Sequence, residues 1–313
     1  MRILITGGLG NLGSWLTEYF VAKNFEVSTF SLQERNVLKQ LSFERIYGDI
    51  TNEQDVGELF KTKNWDVVIH LASVNEGNEP GYAKKALDVN AWGTRNLLQA
   101  MVDKGQTQTH LIYFSTFHVY GAESGNVTED STALLPKNDY GISHLFAEYY
   151  IRQFHQAYNI PYTIFRLTNS YGCPKEINNS KWYLVVNDLA KKAAEKKSII
   201  LNSNGQPRRD FIWMGDVCTA VDKCISKGPA NSLFNLGMGK NMSMMEVAEI
   251  VQKAGQEYFS DNISIVTNST DKKNYDNSLT VSVDKIKNWI NFSTQDKMKD
   301  EVLSIFKLLT IKN

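Results

Sequence analysis

The 313-residue sequence predicts an α/β protein built on a doubly wound parallel sheet. Short apolar stretches of strand length alternate with segments of helical periodicity, and the turns between them are short, as in parallel strands joined by right-handed helical crossovers. At the start of the sequence a strand runs directly into a glycine-rich turn and a helix. This order is typical of a Rossmann-type sheet, whose ligands bind at the carboxyl ends of the strands.

A glycine-rich turn follows the first predicted strand, Arg2–Thr6. Gly7 precedes the run Gly8-Leu9-Gly10-Asn11-Leu12-Gly13, which has the pattern G-x-G-x-x-G. Such glycines permit a tight turn and let the backbone approach a pyrophosphate, while the first N–H groups of the helix face the anion. Because helical periodicity begins at once, the pattern favours a dinucleotide site over an ordinary strand-to-helix turn. The expected cofactor contacts are Gly7, Gly10, Asn11, Leu12 and Gly13.

The end of the second predicted strand, Glu26–Phe30, distinguishes between two cofactors. An acidic residue there accepts hydrogen bonds from the ribose hydroxyls of NAD, whereas a small residue with a nearby Arg leaves room for the extra phosphate of NADP. Ser31 stands at the tip of the strand and Arg35 follows shortly after it. We therefore expect a slight preference for NADP over NAD, which Glu34 could reverse by turning inward.

Further strands and helices complete the predicted sheet. A continuous apolar strand such as the one at 66–71 suits a parallel sheet that is covered on both faces. The predicted strands are Ile46–Ile50 with its turn, Asp66–Leu71 and His110–Ser115, and the predicted helical segments are Tyr82–Asp103, Tyr140–Tyr158, Trp182–Lys197, a helix through Val251 and Ala254, and Met298–Leu309.

Length and composition limit the possible classes of protein. A chain of this length suggests one large domain that carries a smaller lobe. Lys+Arg and Asp+Glu both total 34, so the charge gives no reason to expect nucleic acid or a membrane surface as a partner. The three cysteines have no C-x-x-C spacing, so neither disulfides nor a metal site are expected. Without a signal-like apolar stretch, we expect a cytoplasmic protein.

Motifs spread through nearly the whole chain resemble those of the extended short-chain dehydrogenase/reductases, in the NAD-dependent epimerase/dehydratase group that acts on nucleotide-diphosphate sugars. Each motif alone could be chance, but their order and spacing are specific. The motifs are Thr6-Gly7-Gly8-x-Gly10-x-x-Gly13, Gly48-Asp49-Ile50, His70-Leu71-Ala72-Ser73, Asn90-x-x-Gly93-Thr94-x-Asn96-Leu97-Leu98, Phe114-Ser115-Thr116-x-x-Val119-Tyr120-Gly121, Tyr140-Gly141-x-Ser143, Arg166-Leu167-x-Asn169-x-Tyr171-Gly172, Arg209-Asp210-Phe211 and Asn235-x-Gly237-x-Gly239.

The resemblance implies a role for individual residues of the cofactor site. Asp49 and Ile50 would contact the adenine, and Leu71, Ala72 and Ser73 would line the ribose and phosphates. The same resemblance places three further residues against the cofactor: Asn90, Tyr140 and His144.

The resemblance also implies the catalytic and substrate contacts. Thr116 would hydrogen-bond the sugar oxygen that is oxidised or reduced, and Tyr140 would be the general acid and base. Asn169 would contact the sugar or diphosphate, and Arg209 would bind the diphosphate of the substrate. Taken alone, Thr116 could instead be a turn hydroxyl and Tyr140 an N-terminal helix residue. Arg209 could be a surface ion-pair partner of Asp210.

One departure from the family pattern concerns the residue four positions after Tyr140, where the family has Lys and this chain has His144. Lowering the pKa of a tyrosine from near 10 to about 7 requires roughly 4 kcal/mol, part of which a lysine ammonium supplies. His144 lies one helical turn from Tyr140, and at its reference pKa roughly a quarter of it would be charged at pH 7.

Three interpretations of His144 follow. It could donate a hydrogen bond to the cofactor ribose in an active enzyme with a higher pH requirement, which we favour. Alternatively, the site has lost most of its activity, or another acid and base acts, for which His118 is the nearest residue. An ordinary loop histidine is the more conventional interpretation of His118.

A second departure concerns the loop after Thr116, where family 4,6-dehydratases carry Asp and Glu and this chain has Phe117-His118. Elimination of water therefore lacks its carboxylates. The sequence predicts a ketoreductase or a 4-epimerase, with hydride transfer at a sugar carbon and C4 favoured, and not a 4,6-dehydratase. The alternative is a catalytically weak protein that binds the cofactor and the sugar nucleotide.

The domain layout and assembly are also expected from the resemblance. Residues 1–168 and 210–235 would form the nucleotide-binding domain, and 169–209 and 236–313 a smaller C-terminal α/β substrate lobe. The helix Tyr140–Tyr158 has more apolar surface than one domain needs, which favours a homodimer that pairs it with the helix Ala91–Asp103. Burial within the same subunit is the alternative. The aromatic residues concerned are Phe146, Tyr149, Tyr150 and Phe154.

Overall fold

The structure, a computed structural model, describes residues 1–75, 77, 79–177, 182–268, 270–276 and 278–311. Its contacts divide the chain into two compact units. Unit 1 contains residues 1–121, 129–167 and 218–235, and unit 2 contains 122–128, 168–217 and 236–313.

The strands and helices of the described residues are numbered in chain order. The strands are β1 (Arg2–Thr6), β2 (Glu26–Ser31), β3 (Glu44–Tyr47), β4 (Val67–His70), β5 (His110–Thr116), β6 (Asn126–Val127), β7 (Tyr162–Leu167), β8 (Asn169–Tyr171), β9 (Ser198–Ile200), β10 (Arg208–Trp213), β11 (Ser232–Leu236), β12 (Asn241–Ser243), β13 (Ser264–Val266) and β14 (Thr280–Val281). The α-helices are α1 (Asn11–Ala22), α2 (Glu53–Leu59), α3 (Tyr82–Ala86), α4 (Gly93–Asp103), α5 (Asp139–Tyr158), α6 (Val185–Lys196), α7 (Met214–Lys227), α8 (Met244–Phe259), α9 (Asp284–Ile290) and α10 (Met298–Thr310).

A seven-stranded sheet with the order β11-β7-β5-β4-β1-β2-β3 forms the centre of unit 1. The pairs from β7 to β3 are parallel, with register such as Ile5↔Ile69 and Ile112↔Thr163. The chain leaves the middle of the sheet in both directions, because β2 and β3 lie on one side of β1 and β4 lies on the other. The predicted fold class, a doubly wound α/β sheet of the Rossmann type, is confirmed.

The central strands are buried because helices cover both faces of the sheet. Every residue of β4 and β5 is buried, and so are residues 3–6 of β1. A strand that is covered on both faces has no solvent side, and it therefore appears in the sequence as a continuous apolar run. Within the predicted strand Asp66–Leu71, residues Val67–His70 form β4 and have this environment.

The predicted helical segment Tyr82–Asp103 differs from the structure at its centre. Between α3 and α4 the chain forms a π-helical turn, Leu87–Trp92. π-Helical turns are rare in proteins, and those that occur often lie at functional sites. This one carries Asn90, whose side chain holds a loop of the sheet, as described below.

A buried ion pair joins β7 to α5. Arg166 donates from Nε and Nη2 to the carboxylate of Glu148 at 2.9 and 2.7 Å, and both side chains are almost completely buried. The hydroxyl of Ser115, near the end of β5, donates to the same carboxylate at 2.6 Å. The guanidinium also lies over the ring of Tyr120 at 4.7 Å. Burial raises the pKa of Tyr120 to about 12, so its hydroxyl is protonated and donates to Asn235.

Unit 2 is smaller and has its own apolar core, built chiefly from α6, α8 and α10. Its three-stranded sheet has the order β12-β10-β8, and β10 runs parallel to β8 and antiparallel to β12. Helix α8 begins with a capping box, in which Ser243 and Glu246 accept each other's backbone N–H. The helix predicted at 182–197 begins at Val185 in the structure.

The ion pair predicts the response of the protein to a neutral substitution. We expect Glu148→Gln to lower the free energy of unfolding by about 3 kcal/mol or more, because it leaves the buried charge of Arg166 unpaired. The matched control is Glu58→Gln, which breaks an exposed ion pair with Lys61 at 2.9 Å and should lower it by less than about 1 kcal/mol. Urea unfolding of both variants measures the difference, and equal small effects would contradict the prediction.

Candidate functional site

The glycine-rich turn leaves the beginning of α1 open. Gly7 has a φ of +69°, and its N–H donates to Phe30 O at 2.7 Å. A Cβ on Gly13 would overlap the carbonyl oxygen of Gly7, so this glycine allows the helix to pack against the turn. A Cβ on Gly10 would meet only that oxygen, at 3.0 Å, and apart from Gly10 and its two chain neighbours no other protein atom would lie within 4 Å of it. The turn thus leaves space at the N-terminus of α1, a position that suits a phosphate group.

The tip of β2 has an unpartnered hydroxyl and a nearby guanidinium. Ser31 is the last residue of β2, and its Oγ is buried without a hydrogen-bond partner. Arg35 donates from Nη1 to the carbonyl oxygen of Leu9, within the glycine turn, at 3.2 Å. Glu34 is exposed. The positive group therefore lies at the turn, and the structure shows no inward rotation of Glu34.

The segment after β3 is held by its own side chains. The carboxylate of Asp49 accepts from the backbone N–H and the hydroxyl of Thr51, both at 2.8 Å. The amide of Asn96 donates to the carbonyl oxygens of Ile50 and Thr51. Ile50 is buried, next to Gly93 of α4. Asp49 and Ile50 therefore form a fixed turn at the carboxyl edge of the sheet.

A chain of buried hydrogen bonds fixes the loop after β4. Thr6 Oγ1 accepts from the N–H groups of Leu71 and Ala72, both at 3.2 Å, so its own hydrogen goes to Nδ1 of His70 at 2.6 Å. Nε2 of His70 then donates to Thr94 Oγ1 at 3.0 Å. Burial lowers the pKa of His70 to about 3, so the ring is uncharged. His70 therefore fixes the Thr6 hydroxyl that holds Leu71 and Ala72, two of the expected cofactor contacts.

Asn90 connects this loop to α5. Its Oδ1 accepts from Val74 N at 2.8 Å, and its Nδ2 donates to Val74 O and, at 3.0 Å, to the hydroxyl of Ser143. Ser143 in turn donates to the carbonyl oxygen of Tyr140 at 3.0 Å. The side-chain amide of Asn90 therefore holds both the loop and the beginning of α5.

Tyr140 lies between two histidine rings. The ring centroid of His144 is 4.6 Å from that of Tyr140, and the ring centroid of His118 is 5.7 Å from it, both in edge-to-face arrangements. Thr116 Oγ1 accepts from the backbone N–H of His118 at 3.2 Å and so caps a short 3₁₀ turn, Phe117–Val119. The structure thus brings Tyr140, His144 and His118 together, and it places Thr116 at the beginning of the same loop.

His144 carries no charge at neutral pH. Its side chain is 2% exposed, and burial lowers its pKa to about 3, with smaller contributions from His70 and His118. The expectation that roughly a quarter of His144 is charged at pH 7 is therefore wrong, because that figure assumed a hydrated ring. Its Nδ1 lies 2.7 Å from the hydroxyl oxygen of Tyr113, and its Nε2 is buried without a hydrogen-bond partner.

The two expected substrate contacts lie in unit 2. Asn169, in β8, donates from Nδ2 to the carbonyl oxygen of Asp210 at 3.0 Å. Arg209 is exposed in β10, and strand alternation directs its side chain away from that of Asp210. The carboxylate of Asp210 is buried and accepts from Thr168 and from the N–H groups of residues 238–240. These contacts account for the carboxylate of Asp210 and give no support to the alternative that Arg209 is its ion-pair partner.

The sequence reasoning gave no role to several residues that support this site. Tyr113 contacts His144, Glu148 binds Ser115 and Arg166, and Thr94 accepts from His70. A signal for two of them exists in the spacing. Glu148 follows His144 by four residues on α5, and Ser115 follows Tyr113 by two residues on β5, so each pair shares one face of its element.

Neither a metal site nor a membrane-spanning helix is found in the described part of the chain. No group of three or more His, Cys, Asp or Glu residues there could hold a metal ion. None of the helices within those ranges combines the length and apolar character needed to cross a membrane.

Relatives with known names include both epimerases and dehydratases. The dTDP-L-rhamnose 4-epimerase of Burkholderia thailandensis is 27% identical over 291 residues, which cover 80% of this chain and 80% of the relative. The dTDP-D-glucose 4,6-dehydratase of Mus musculus is 26% identical over 264 residues, which cover 80% of this chain and 72% of the mouse protein.

Solved structures share the fold over the whole chain. The UDP-glucose 4-epimerase of Thermotoga maritima, solved with UDP-glucose, superposes with a TM-score of 0.83 at 19% identity and covers 99% of this chain and 98% of its own. MoeE5 in complex with UDP-glucose and NAD gives 0.80 at 20% identity, with the same coverage of both chains. The model of the NAD dependent epimerase/dehydratase family matches residues 3–237, well over half of the sequence. The chain belongs to the NAD dependent epimerase/dehydratase family.

Proposed function

We propose that the protein transfers a hydride at a sugar carbon of a nucleotide-diphosphate sugar, with C4 favoured, as a ketoreductase or a 4-epimerase. The observation that carries the proposal is the position of Tyr140, which lies against His144 in a site held by Asn90 and Ser143. Family membership and the names of the relatives support the same class of reaction.

The residues of unit 1 fit a nicotinamide dinucleotide. The open space at Gly10, the buried unpartnered Ser31 Oγ and the unpartnered Nε2 of His144 are features that a bound cofactor would satisfy. The turn at 7–13 would hold the diphosphate, and Asp49, Ile50 and residues 71–73 would surround the adenosine and ribose. When bound, the cofactor supplies the site that accepts and returns a hydride.

The remaining chemistry belongs to protein side chains. Tyr140 would exchange a proton with the sugar hydroxyl, because its phenol lies at the beginning of α5 in contact with the rings of His144 and His118. Thr116 accepts from the N–H of His118, which leaves its own hydrogen to orient the sugar oxygen. The neutral Nε2 of His144 would donate to a hydroxyl of the cofactor ribose.

We infer that elimination of water is not part of the reaction. The 3₁₀ turn after Thr116 carries Phe117 and His118 and therefore no carboxylate. His118 lies edge-on to Tyr140, and a histidine there could exchange a proton. A 4-keto-6-deoxy product from a nucleotide-diphosphate hexose would contradict this inference, since relatives of both kinds exist.

A second candidate function is a catalytically weak protein that binds the cofactor and the sugar nucleotide. The uncharged state of His144 favours it, because a neutral ring stabilises a phenolate less than an ammonium does. Turnover distinguishes the two candidates directly.

We further propose that unit 2 is the substrate lobe and that the protein is a homodimer. Asn169 and the exposed guanidinium of Arg209 would contact the sugar and diphosphate. For the dimer, α5 exposes Phe146 and Tyr149, and the π-helical turn exposes Trp92, whereas Phe154 is buried within the subunit. Sedimentation of the purified protein tests the dimer, and a monomer at micromolar concentration would contradict it.

Arg35 predicts the cofactor preference. We expect the protein to bind NADP more tightly than NAD, because the guanidinium lies at the glycine turn near Ser31. Arg35→Ala should weaken NADP binding by about tenfold and change NAD binding little. Calorimetry with both cofactors measures the two affinities.

The control for this experiment is Gly10→Val, which should stay folded and bind neither cofactor, because its side chain occupies the open space beside the helix N-terminus. Equal or tighter binding of NAD by the unmodified protein would contradict the preference and would indicate that Glu34 contacts the ribose.

The function itself is tested by the pH profile of turnover. Activity should rise on the alkaline side as Tyr140 ionises, with no limb near pH 6.5 from His144, which is uncharged there. Tyr140→Phe should lower kcat by at least about 100-fold. His144→Lys should move the alkaline limb to lower pH, because a cation one turn away stabilises the phenolate.

Two controls make the result specific. His155→Lys places the same cation farther along α5 and should leave the limb unchanged. Arg209→Ala should raise KM for the sugar nucleotide without moving the limb. Substantial turnover by Tyr140→Phe would assign the proton transfer to His118. If neither the unmodified protein nor His144→Lys turns over any sugar nucleotide or 4-keto sugar nucleotide, the binding function is favoured.

A further inference from the structure

Only one of the two ring nitrogens of His144 has a hydrogen-bond partner. Nδ1 lies 2.7 Å from Oη of Tyr113, and Nε2 has no hydrogen-bond partner although it is buried. A buried donor or acceptor that stays unsatisfied costs folding free energy. Ordered water or a bound molecule satisfies such a group in native proteins, and the protonation of Nε2 decides whether the partner must accept or donate.

The length of the contact between Tyr113 and His144 favours the phenol as the donor. Burial raises the pKa of Tyr113 well above its usual value, and the charge of Glu148 and the neighbouring Tyr140 add to the shift, so the phenol is protonated. A separation of 2.7 Å is usual for an O–H donor and lies at the short end of the range for an N–H donor. Because Thr94 gives its own hydrogen to the carbonyl oxygen of Asn90 at 2.6 Å, the phenol has two acceptors beside it, Thr94 and His144, and the 2.7 Å contact favours His144.

The contact is part of a repeated arrangement of β5 on α5. Tyr113 and Ser115 are two residues apart on β5, and their hydroxyls meet His144 and Glu148, which are four residues apart on α5. Two residues of strand rise by about 6.6 Å and four residues of helix by about 6.0 Å, so both contacts form at once. Arg166 holds the carboxylate of Glu148 that Ser115 contacts. This pairing also fixes the register of the contact between Tyr113 and His144.

The titratable groups that face Tyr113 and His144 leave both side chains uncharged. His70 from β4 lies 5.6 Å from the ring of Tyr113, and burial lowers its pKa to about 3. Tyr140 contacts the ring of His144, His118 contacts the ring of Tyr140, and Glu148 is paired with Arg166. The proton on His144 is therefore placed by its hydrogen bond and not by a neighbouring charge.

We propose that Tyr113 is a positioning residue that holds His144 in the neutral tautomer with its proton on Nε2. His144 thereby presents a fixed, uncharged hydrogen-bond donor beside Tyr140, where the family has a lysine. The use of this donor toward the cofactor ribose rests on the proposed function, whereas the tautomer does not.

The tautomer can be measured without turnover. In the full-length protein labelled with ¹⁵N-histidine and free of cofactor, correlation spectra should show His144 as the Nε2–H tautomer, unchanged from about pH 5 to pH 9. Its signals among the five histidines are assigned from their loss in His144→Gln. An Nδ1–H tautomer or a charged ring in the unmodified protein would overturn the proposal.

Tyr113→Phe removes only the hydroxyl that donates to Nδ1. We expect the spectra to show loss of the pure Nε2–H tautomer, and kcat to fall by about tenfold with little change in KM for the sugar nucleotide. The matched control is Ser115→Ala, which removes the hydroxyl of the neighbouring contact and should leave the tautomer of His144 unchanged.

Different results would contradict the positioning role of Tyr113 and the proposed hydride transfer. Unchanged His144 spectra in Tyr113→Phe would overturn the positioning role, whatever the activity. An Nε2–H tautomer in an unmodified protein that turns over no sugar nucleotide would support the positioning role and contradict the proposed function.

Discussion

The buried pair of Glu148 and Arg166 is the constraint on which the site depends. It joins β7 to α5, and through Ser115 it also holds the end of β5. Because Tyr140, His144 and Glu148 repeat every four residues on α5, fixing Glu148 fixes the direction in which the other two point. An isolated buried charge would be costly, so neither member of the pair can be removed without strain on this arrangement.

Around this constraint the protein places an uncharged histidine where a permanent cation stands in the family pattern. A lysine ammonium both stabilises a phenolate by its charge and donates a hydrogen bond, whereas an uncharged His144 offers hydrogen bonds without the charge. In the proposed reaction, the phenolate of Tyr140 is therefore stabilised less by its neighbour than the phenolate of the family pattern is by its lysine. The buried hydrogen bonds through Thr6, His70, Thr94 and Asn90 keep the surrounding loops in place without any charge.

Much of the fold could be predicted because its signals are local. The strand, turn and helix at 1–22 and the continuous apolar strands follow from residue periodicity and glycine positions, and the structure has them at nearly the expected residues. The charge of His144 could not be predicted, since it depends on burial by residues distant in sequence. The contact with Tyr113 spans 31 positions, and only the packing of β5 on α5 reveals it. The roles of Thr116, Asn169 and Arg209 remain predictions that rest on the family resemblance.

The central claim is that unit 1 binds a nicotinamide dinucleotide for hydride transfer at a sugar carbon. Its most direct test is to purify the protein, denature it and identify the released nucleotides by mass spectrometry, with added NADPH and sugar nucleotides where the site is found empty. Our account predicts either retained NAD, as expected for an epimerase, or a site that takes up NADPH, as expected for a reductase. Binding of a sugar nucleotide with neither cofactor would contradict it.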